Sequence, residues 1–211
     1  MKTLIVVAHP QLAGSSTQAF LKAGADLVPE ASWHPVPSQP AVTAERAELQ
    51  AADRIIFQFP LLWYTAPATL TAWLSQVWAL SLANQLAGKE LGVVVTLGRP
   101  ERDYHSGAPV GVSIDALLTP YVALAHTAKM RWLAPLVVAQ FVRMAERERQ
   151  RLLIRYQQYL SLPEQTFAMQ ADWWLNQLAQ RPQAHLLQTE LAERQARLAS
   201  LTQTLKEGRD D

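Results

Sequence analysis

Cysteine is absent from this chain of 211 residues, and so are long apolar runs. The absence of cysteine excludes disulfides, thiolate metal sites and a cysteine nucleophile. No apolar run approaches the roughly 20 residues that a membrane-spanning helix needs, and the apolar stretch after Lys2 is too short for a signal peptide. We therefore expect a cytoplasmic protein without a membrane span of its own.

An excess of charge of one sign is also missing. The chain has 19 basic and 18 acidic side chains, for a net charge of +1. A nucleic-acid surface needs clustered positive charge, so we expect no nucleic-acid partner. The sequence also lacks the Gly-x-Gly-x-x-Gly, P-loop and Gly-x-Ser-x-Gly motifs. Its histidines are not spaced as metal ligands, so we expect no metal site.

Apolar residues are plentiful, at 49% of the chain, and they occur as short runs separated by helical patterns. Continuous apolar runs predict buried strands at residues 3–8, 55–59, 91–97 and 132–138, with a shorter strand around Trp33. Helical patterns occupy residues 19–27 and 43–51, the stretch after Pro67, and Ser113 to His126. This alternation of buried strands and amphipathic helices is typical of a parallel α/β sheet.

The last third of the chain has a different composition. Residues 143–211 hold 19 of the 37 charged side chains. Residues 143–160 predict a charged amphipathic helix, and residues 185–206 a terminal helix with leucines at spacings of three, four and seven. We expect this leucine stripe to bury against the same fold or against a second copy of the chain.

Chemistry is expected where the strands end, because ligands of open parallel sheets bind outside the carboxyl ends of the strands. After the first strand, Ser15, Ser16 and Thr17 precede a helix, where hydroxyls and free N–H groups suit a phosphate. The alternative is that they only cap the helix. The aromatic loop 60–67 suits a flat heteroaromatic ring, or else serves as a packing plug or dimer contact. The loop 96–107 carries Tyr104 and His105, which suit the edge of an electron-rich ring.

These loops carry a resemblance. Its elements are Ala8-His9-Pro10 with Ser15 downstream, the stretch 52–57, and above all Phe59-Pro60-Leu61-Leu62-Trp63-Tyr64 followed by Pro67-Ala68. Over residues 1–160 the chain resembles the flavodoxin-like NAD(P)H:quinone oxidoreductases, which include the ancillary flavoproteins of glutathione-gated potassium-efflux systems. The resemblance implies an α/β fold with a doubly wound parallel sheet and helices on both faces. It leaves residues 161–211 as a helical C-terminal extension.

The resemblance also implies a cofactor, FMN or FAD, and roles for particular residues. The flavin phosphate site would be lined by His9, Ser15, Ser16, Thr17 and Gln18. The isoalloxazine would pack on Pro60, Leu61, Leu62, Trp63 and Tyr64. Its pyrimidine edge would face Thr96, Leu97, Gly98 and Tyr104. Tyr104 and His105 would be the catalytic residues, which handle charge or a proton at that edge.

The implied activity is ping-pong transfer of two electrons from NAD(P)H through the flavin to a quinone or similar aromatic acceptor, in a homodimer. The sequence departs from the family where Thr96-Leu97-Gly98-Arg99 stands for the usual Thr-Thr-Gly-Gly, and where Leu62 stands for a polar residue. The alternative is therefore a regulatory subunit with a degenerate flavin site. Such a subunit would bind a partner such as a potassium-efflux transporter and would lie at the inner membrane through it.

Overall fold

A single parallel sheet organises the first part of the chain. The computed structural model describes residues 1–179 and 185–207. Within these ranges the strands are β1 (Thr3–Val7), β2 (Ala31–Pro35), β3 (Arg54–Pro60), β4 (Glu90–Leu97), β5 (Arg131–Trp132) and β6 (Leu136–Ala139). The sheet order is β2-β1-β3-β4-β5, with β6 also paired to β4, and every pairing is parallel. The predicted parallel α/β fold is confirmed.

Helices connect the strands close to where the apolar spacing predicts them. Their bounds are α1 (Ser16–Ala25), α2 (Val42–Ala51), α3 (Ala68–Val77), α4 (Leu80–Ala83), α5 (Ile114–Thr127), α6 (Glu146–Ser161), α7 (Phe167–Ala179) and α8 (His185–Glu207). The Ser113 hydroxyl accepts a hydrogen bond of 3.2 Å from the Ala116 amide, which satisfies a free donor at the start of α5. Pro67 precedes α3, where its missing N–H costs nothing.

The sheet is buried on both faces, because successive side chains of a strand point to opposite sides. One face carries Leu4, Val6, Phe57 and Val93 and packs against α2, α3 and α5. The other face carries Ile5, Val7, Ile56 and Val94 and packs against α1 and α6. Continuous apolar runs are thus explained by helices on both sides.

The predicted fourth strand, residues 132–138, is corrected by the structure into two short strands. Leu91 pairs with Trp132, and Val94 pairs with Leu136, so residues 92–93 lie opposite residues 133–135. The extra residue is a bulge, and Pro135 within it has no N–H to donate to the ladder. After the bulge, β6 pairs with β4 in a register shifted by one residue relative to the pairing of β5 with β4.

The chain divides into two units, residues 1–161 and residues from 162 onward. In the second unit α7 and α8 pair with each other, and the Gln195 amide donates 2.7 Å to the Asp172 carboxylate. The leucines predicted as a buried stripe include Leu187, Leu198 and Leu201, which are exposed. Among the described residues, no helix combines the length and apolarity that crossing a bilayer requires.

Candidate functional site

Four loops meet at the edge formed by the carboxyl ends of β1, β3, β4 and β6. The chain leaves β1 toward β2 on one side and returns to β3 on the other side, so the strand order reverses between β1 and β3. This reversal opens a crevice at the sheet edge, which is where ligands of such sheets bind. The predicted site loops come after these strands.

The first loop joins β1 to α1 and combines a cap with free helical donors. The Ser15 hydroxyl accepts a hydrogen bond of 3.3 Å from the Gln18 backbone amide, so this side chain caps α1 in the structure, as the alternative interpretation expects. The amides of Ser16 and Thr17 stand ahead of the first α-helical bond, which Ala19 donates to Ser15. Such amides suit an anion.

His9 lies in the same loop and is partly buried. Its Nδ1 accepts a bond of 3.0 Å from the Gln11 amide, so the neutral ring carries its proton on Nε2. Burial lowers the pKa of His9 and favours the neutral form. His9 therefore presents a neutral N–H donor at this end of the sheet.

The second loop, after β3, is a tight turn built from two aromatic residues. Leu62 and Thr65 exchange backbone hydrogen bonds of 2.8 and 3.0 Å, and between them Trp63 and Tyr64 have φ of 48° and 68°. This is a left-handed pair of the kind usually filled by Asn-Gly. The Leu61 amide donates 2.9 Å to the Thr96 carbonyl, which joins the loop to the end of β4. Trp63 is 92% exposed.

The conformation of Tyr64 leads to a stability prediction. We expect the free energy of unfolding of Tyr64→Gly to exceed that of Tyr64→Ala by about 1 kcal/mol, so the glycine variant is the more stable. The reason is that alanine has a Cβ, which clashes in the left-handed region, and glycine has none. Urea unfolding of both variants measures the difference. At Ala72, an exposed position of α3, glycine should instead be less stable than alanine. The same order at both positions would contradict the assignment of strain to Tyr64.

The third loop follows β4 and holds the predicted ring-edge residues. Thr96 is partly buried, Leu97 is buried and Gly98 is exposed, and a Cβ built on Gly98 would meet no atom within 4 Å. Tyr104 is 9% exposed. Burial, foremost, raises the pKa of Tyr104; Tyr64 and Asp103 raise it further and Arg99 opposes them. Tyr104 is therefore held as a protonated donor.

His105 and Arg99 in this loop make their bonds to nearby residues. The exposed His105 ring lies with Nδ1 at 2.7 Å from the Ser106 carbonyl, to which it donates. The exposed Arg99 guanidinium pairs with the Asp103 carboxylate at 3.5 Å. Arg99 thus has a carboxylate partner on its own loop.

A fourth loop, residues 139–144, is a part of the site that the sequence did not predict. Gln140 has a φ of 51°, and its amide donates 2.8 Å to the Leu97 carbonyl. Phe141 is buried, and the Arg149 guanidinium lies 5.2 Å from its ring centroid. The signal in the sequence is Arg143, a cation four residues after the end of β6, which the sequence pattern assigns to the start of a helix.

The four loops enclose a cleft of about 260 Å³. Its lining includes seven predicted residues: Thr17, Pro60, Leu61, Leu62, Thr96, Leu97 and Gly98. The end of β6 adds Val138, and the fourth loop adds Gln140, Phe141, Val142 and Arg143. The other predicted residues do not line it: His9, Ser15, Ser16, Gln18, Trp63, Tyr64, Tyr104 and His105. Tyr104 instead lines a separate cavity of about 390 Å³ with Arg102, Ser113 and Pro135.

Two buried donors belong to residues next to the loops of the cleft rather than to its lining. Gln18 Nε2, one residue after Thr17, and Nε of Arg149, whose guanidinium contacts the Phe141 ring, lack a hydrogen-bond partner among the described residues. Buried donors without partners are costly and call for an acceptor. The apolar residues Pro60, Leu61 and Leu62 and the open space at Gly98 leave room for a flat ring. A flavin nucleotide has both a ring and a phosphate, so the residues present fit it.

This architecture matches that of a known protein family. Residues 1–160 match the protein family described as having a flavodoxin-like fold. The chain belongs to this flavodoxin-like family. The resemblance drawn from the strand-end loops is thereby confirmed, and the doubly wound sheet is the fold of the family. Residues 161–211 lie outside the matched region.

Solved structures and a curated relative resemble this flavodoxin-like chain. An NADPH-quinone reductase from P. pentosaceus is 41% identical, with a TM-score of 0.76, and the match covers 78% of this chain and all of that one. General stress protein 14 from Treponema denticola, solved in complex with FMN, is 25% identical with a TM-score of 0.69. The match covers 76% of this chain and 98% of that one. The potassium-efflux ancillary protein KefG of Cronobacter sakazakii is 31% identical over 147 residues, 65% of this chain and 80% of that one.

Proposed function

We propose that this chain is an FMN-dependent oxidoreductase that passes two electrons from NAD(P)H to a quinone or related aromatic acceptor in a ping-pong cycle. The observation that carries the proposal is the cleft, which joins Thr17 at the start of α1 to the apolar wall of Pro60 to Leu62. The similar chains named NADPH-quinone reductase and solved with FMN support it. Since NAD(P)H is the donor, we propose that the protein acts in the cytoplasm.

The flavin, when bound, supplies two-electron chemistry between the donor and the acceptor. The chain supplies the placement. Thr17 and the amides at the start of α1, with His9, would hold the phosphate. Pro60 to Tyr64 would support the ring, and Thr96 to Gly98 would contact its polar edge. His105 is proposed as a proton carrier, because Nδ1 donates to the Ser106 carbonyl and the neutral ring then keeps Nε2 as its proton acceptor.

The first experiment is to add FMN and FAD separately to the purified chain and to follow NADPH and NADH oxidation with a soluble quinone. We expect a yellow protein that retains FMN and reduces the quinone in both half-reactions. A chain that takes up neither flavin and oxidises neither nucleotide would contradict the proposal. That result would favour the second candidate, an ancillary subunit of a potassium-efflux transporter, which the similarity to KefG supports.

Tyr104 is proposed to donate a hydrogen bond to the electron-rich edge of the reduced ring. We expect Tyr104→Phe to keep its FMN content but to slow NADPH-driven flavin reduction about three- to tenfold, the worth of one neutral hydrogen bond. Because the pKa of Tyr104 is raised, the donor is present at all pH values below its ordinary pKa of about 10. The ratio of the two rates should therefore stay constant from about pH 6 to about pH 9. Stopped-flow reduction measures both rates, and identical rates would contradict a role for Tyr104.

The rim of the cleft supports a homodimer. Leu62, Trp63, Tyr64 and Val142 are all exposed on the single chain, at 41%, 92%, 43% and 75%. Large aromatic side chains are enriched in the cores of protein interfaces. We propose that a second copy covers this rim, which light scattering of the FMN-loaded protein would test.

A further inference from the structure

Three buried polar side chains form a chain of hydrogen bonds beneath the first loop. The Tyr156 hydroxyl of α6 donates 2.8 Å to Gln58 Oε1 of β3. Gln58 Nε2 donates 2.6 Å to Gln18 Oε1 in the first turn of α1. All three are at most 1% exposed. Polar groups buried this deeply cost stability unless they are bonded, so their arrangement needs a reason.

The chain of bonds has a fixed direction. Burial raises the pKa of Tyr156, so the phenol keeps its proton and donates it to a carbonyl oxygen. The NH₂ group of Gln58 must then face Gln18 and donate, and the side-chain oxygen of Gln18 accepts this hydrogen bond. What remains at the end is the Gln18 NH₂ group, which is buried and has no partner among the described residues. This chain of hydrogen bonds from Tyr156 through Gln58 to Gln18, called the relay below, therefore ends on a donor.

That donor lies beside the first loop. Gln58 pairs in register with Val7, the last residue of β1, and its carbonyl accepts 2.9 Å from the Ala8 amide. Gln18 is two residues after Ser16, the first residue of α1. Like the free amides of the helix start, a donor in the first turn favours negatively charged oxygens.

We propose that Tyr156 and Gln58 are positioning residues that hold the Gln18 amide as a donor to the phosphate of bound FMN, and that they thereby select phosphorylated flavin over riboflavin. This inference rests on the proposed function. Without the Tyr156 hydroxyl, the Gln58 amide is free to turn around and offer its oxygen to Gln18. The Gln18 amide then turns as well and places its own oxygen, a repulsive group, toward the phosphate.

The test compares FMN with riboflavin, which lacks only the phosphate, by quenching of flavin fluorescence on the full chain. We expect Tyr156→Phe to weaken FMN binding about three- to tenfold, and Gln18→Met about ten- to a hundredfold, as fits loss of hydrogen bonds to a charged group. Riboflavin affinity should change less than about twofold in both. Tyr159→Phe is the matched control, since Tyr159 is another buried tyrosine of α6 whose hydroxyl donates to the Val93 carbonyl at 3.4 Å instead.

The outcomes separate the inference from the proposed function. Equal losses for FMN and riboflavin in Tyr156→Phe, or unchanged selectivity, would overturn the positioning role while FMN binding by the wild type still stands. Failure of the wild type to bind FMN would overturn the proposed function and this inference with it. Because Tyr156 is buried, its variant is first checked by thermal unfolding. If Tyr156→Phe does not fold, the FMN-to-riboflavin ratio of Gln18→Met decides whether the relay ends on a phosphate donor.

Discussion

Replacing Gly98 with leucine is expected to abolish detectable FMN binding and to leave the fold intact. Gly98 lines the cleft, is exposed, and has no atom within 4 Å of the place where a Cβ would be. Its φ lies outside the left-handed region, so an L side chain fits its backbone. The leucine side chain therefore clashes with no protein atom at its Cβ and occupies the space that the ring needs.

The expected loss is about a hundredfold in FMN affinity, since forcing a whole extra side chain into an occupied space costs about 3 kcal/mol, the upper part of the usual range. The free energy of unfolding of the flavin-free protein should stay the same or rise slightly, because a glycine loses more chain entropy on folding than leucine does. Flavin titration and urea unfolding measure the two effects. Ala72→Leu, at an exposed position of α3 outside the cleft lining, is the matched control. Full FMN affinity in Gly98→Leu would contradict the placement of the ring.

The strands and helices could be predicted because their signals are local. A continuous run such as Ile55 to Phe59 can only be buried on both faces, and a serine such as Ser113 has its amide partner three residues away. The break at Pro135 was missed for a physical reason. A strand of seven apolar residues and two strands with a bulge have the same pattern, and only pairing to β4 distinguishes them.

Cleft residues that lie within one strand-end loop could be predicted from the sequence. Residues whose position depends on contacts between distant parts of the chain could not. Thr17, Leu61 and Gly98 each follow a strand within a recognisable loop, and they line one cleft. Gln140 is held by a bond to Leu97, 43 positions earlier by residue number, and Tyr156 lies 98 residues from the Gln58 that it contacts. Such pairs depend on the register of the sheet, so their roles are visible only in the folded chain. Trp63, which the resemblance implies against the ring, is 92% exposed on the single chain, and its contact with a bound ring stays a prediction.

The opposite edge of the sheet holds a cluster of charges with no part in the site. Glu90, at the start of β4, accepts hydrogen bonds from Arg54 and Arg131, and Arg54 also donates to the Tyr159 carbonyl. The Arg54 side chain is only 1% exposed. Along β4, Glu90 and Leu97 are separated by seven residue steps, or about 23 Å at the rise of a parallel strand. Changes at the two ends should therefore act independently.

Glu90→Ala is expected to lower the free energy of unfolding by about 3–5 kcal/mol, the usual cost of removing one partner from a buried ion pair. The reason is the Arg54 guanidinium, which stays buried after its carboxylate is gone. Arg131→Met is the control, because the Arg131 side chain is 46% exposed and pairs of exposed charges contribute about 0–1 kcal/mol. Urea unfolding of the three proteins, with FMN titration of each, measures stability and site together. A loss in Glu90→Ala no larger than in Arg131→Met would show that Arg54 does not depend on Glu90, and a matching loss of FMN affinity would show that the two edges of the sheet are coupled.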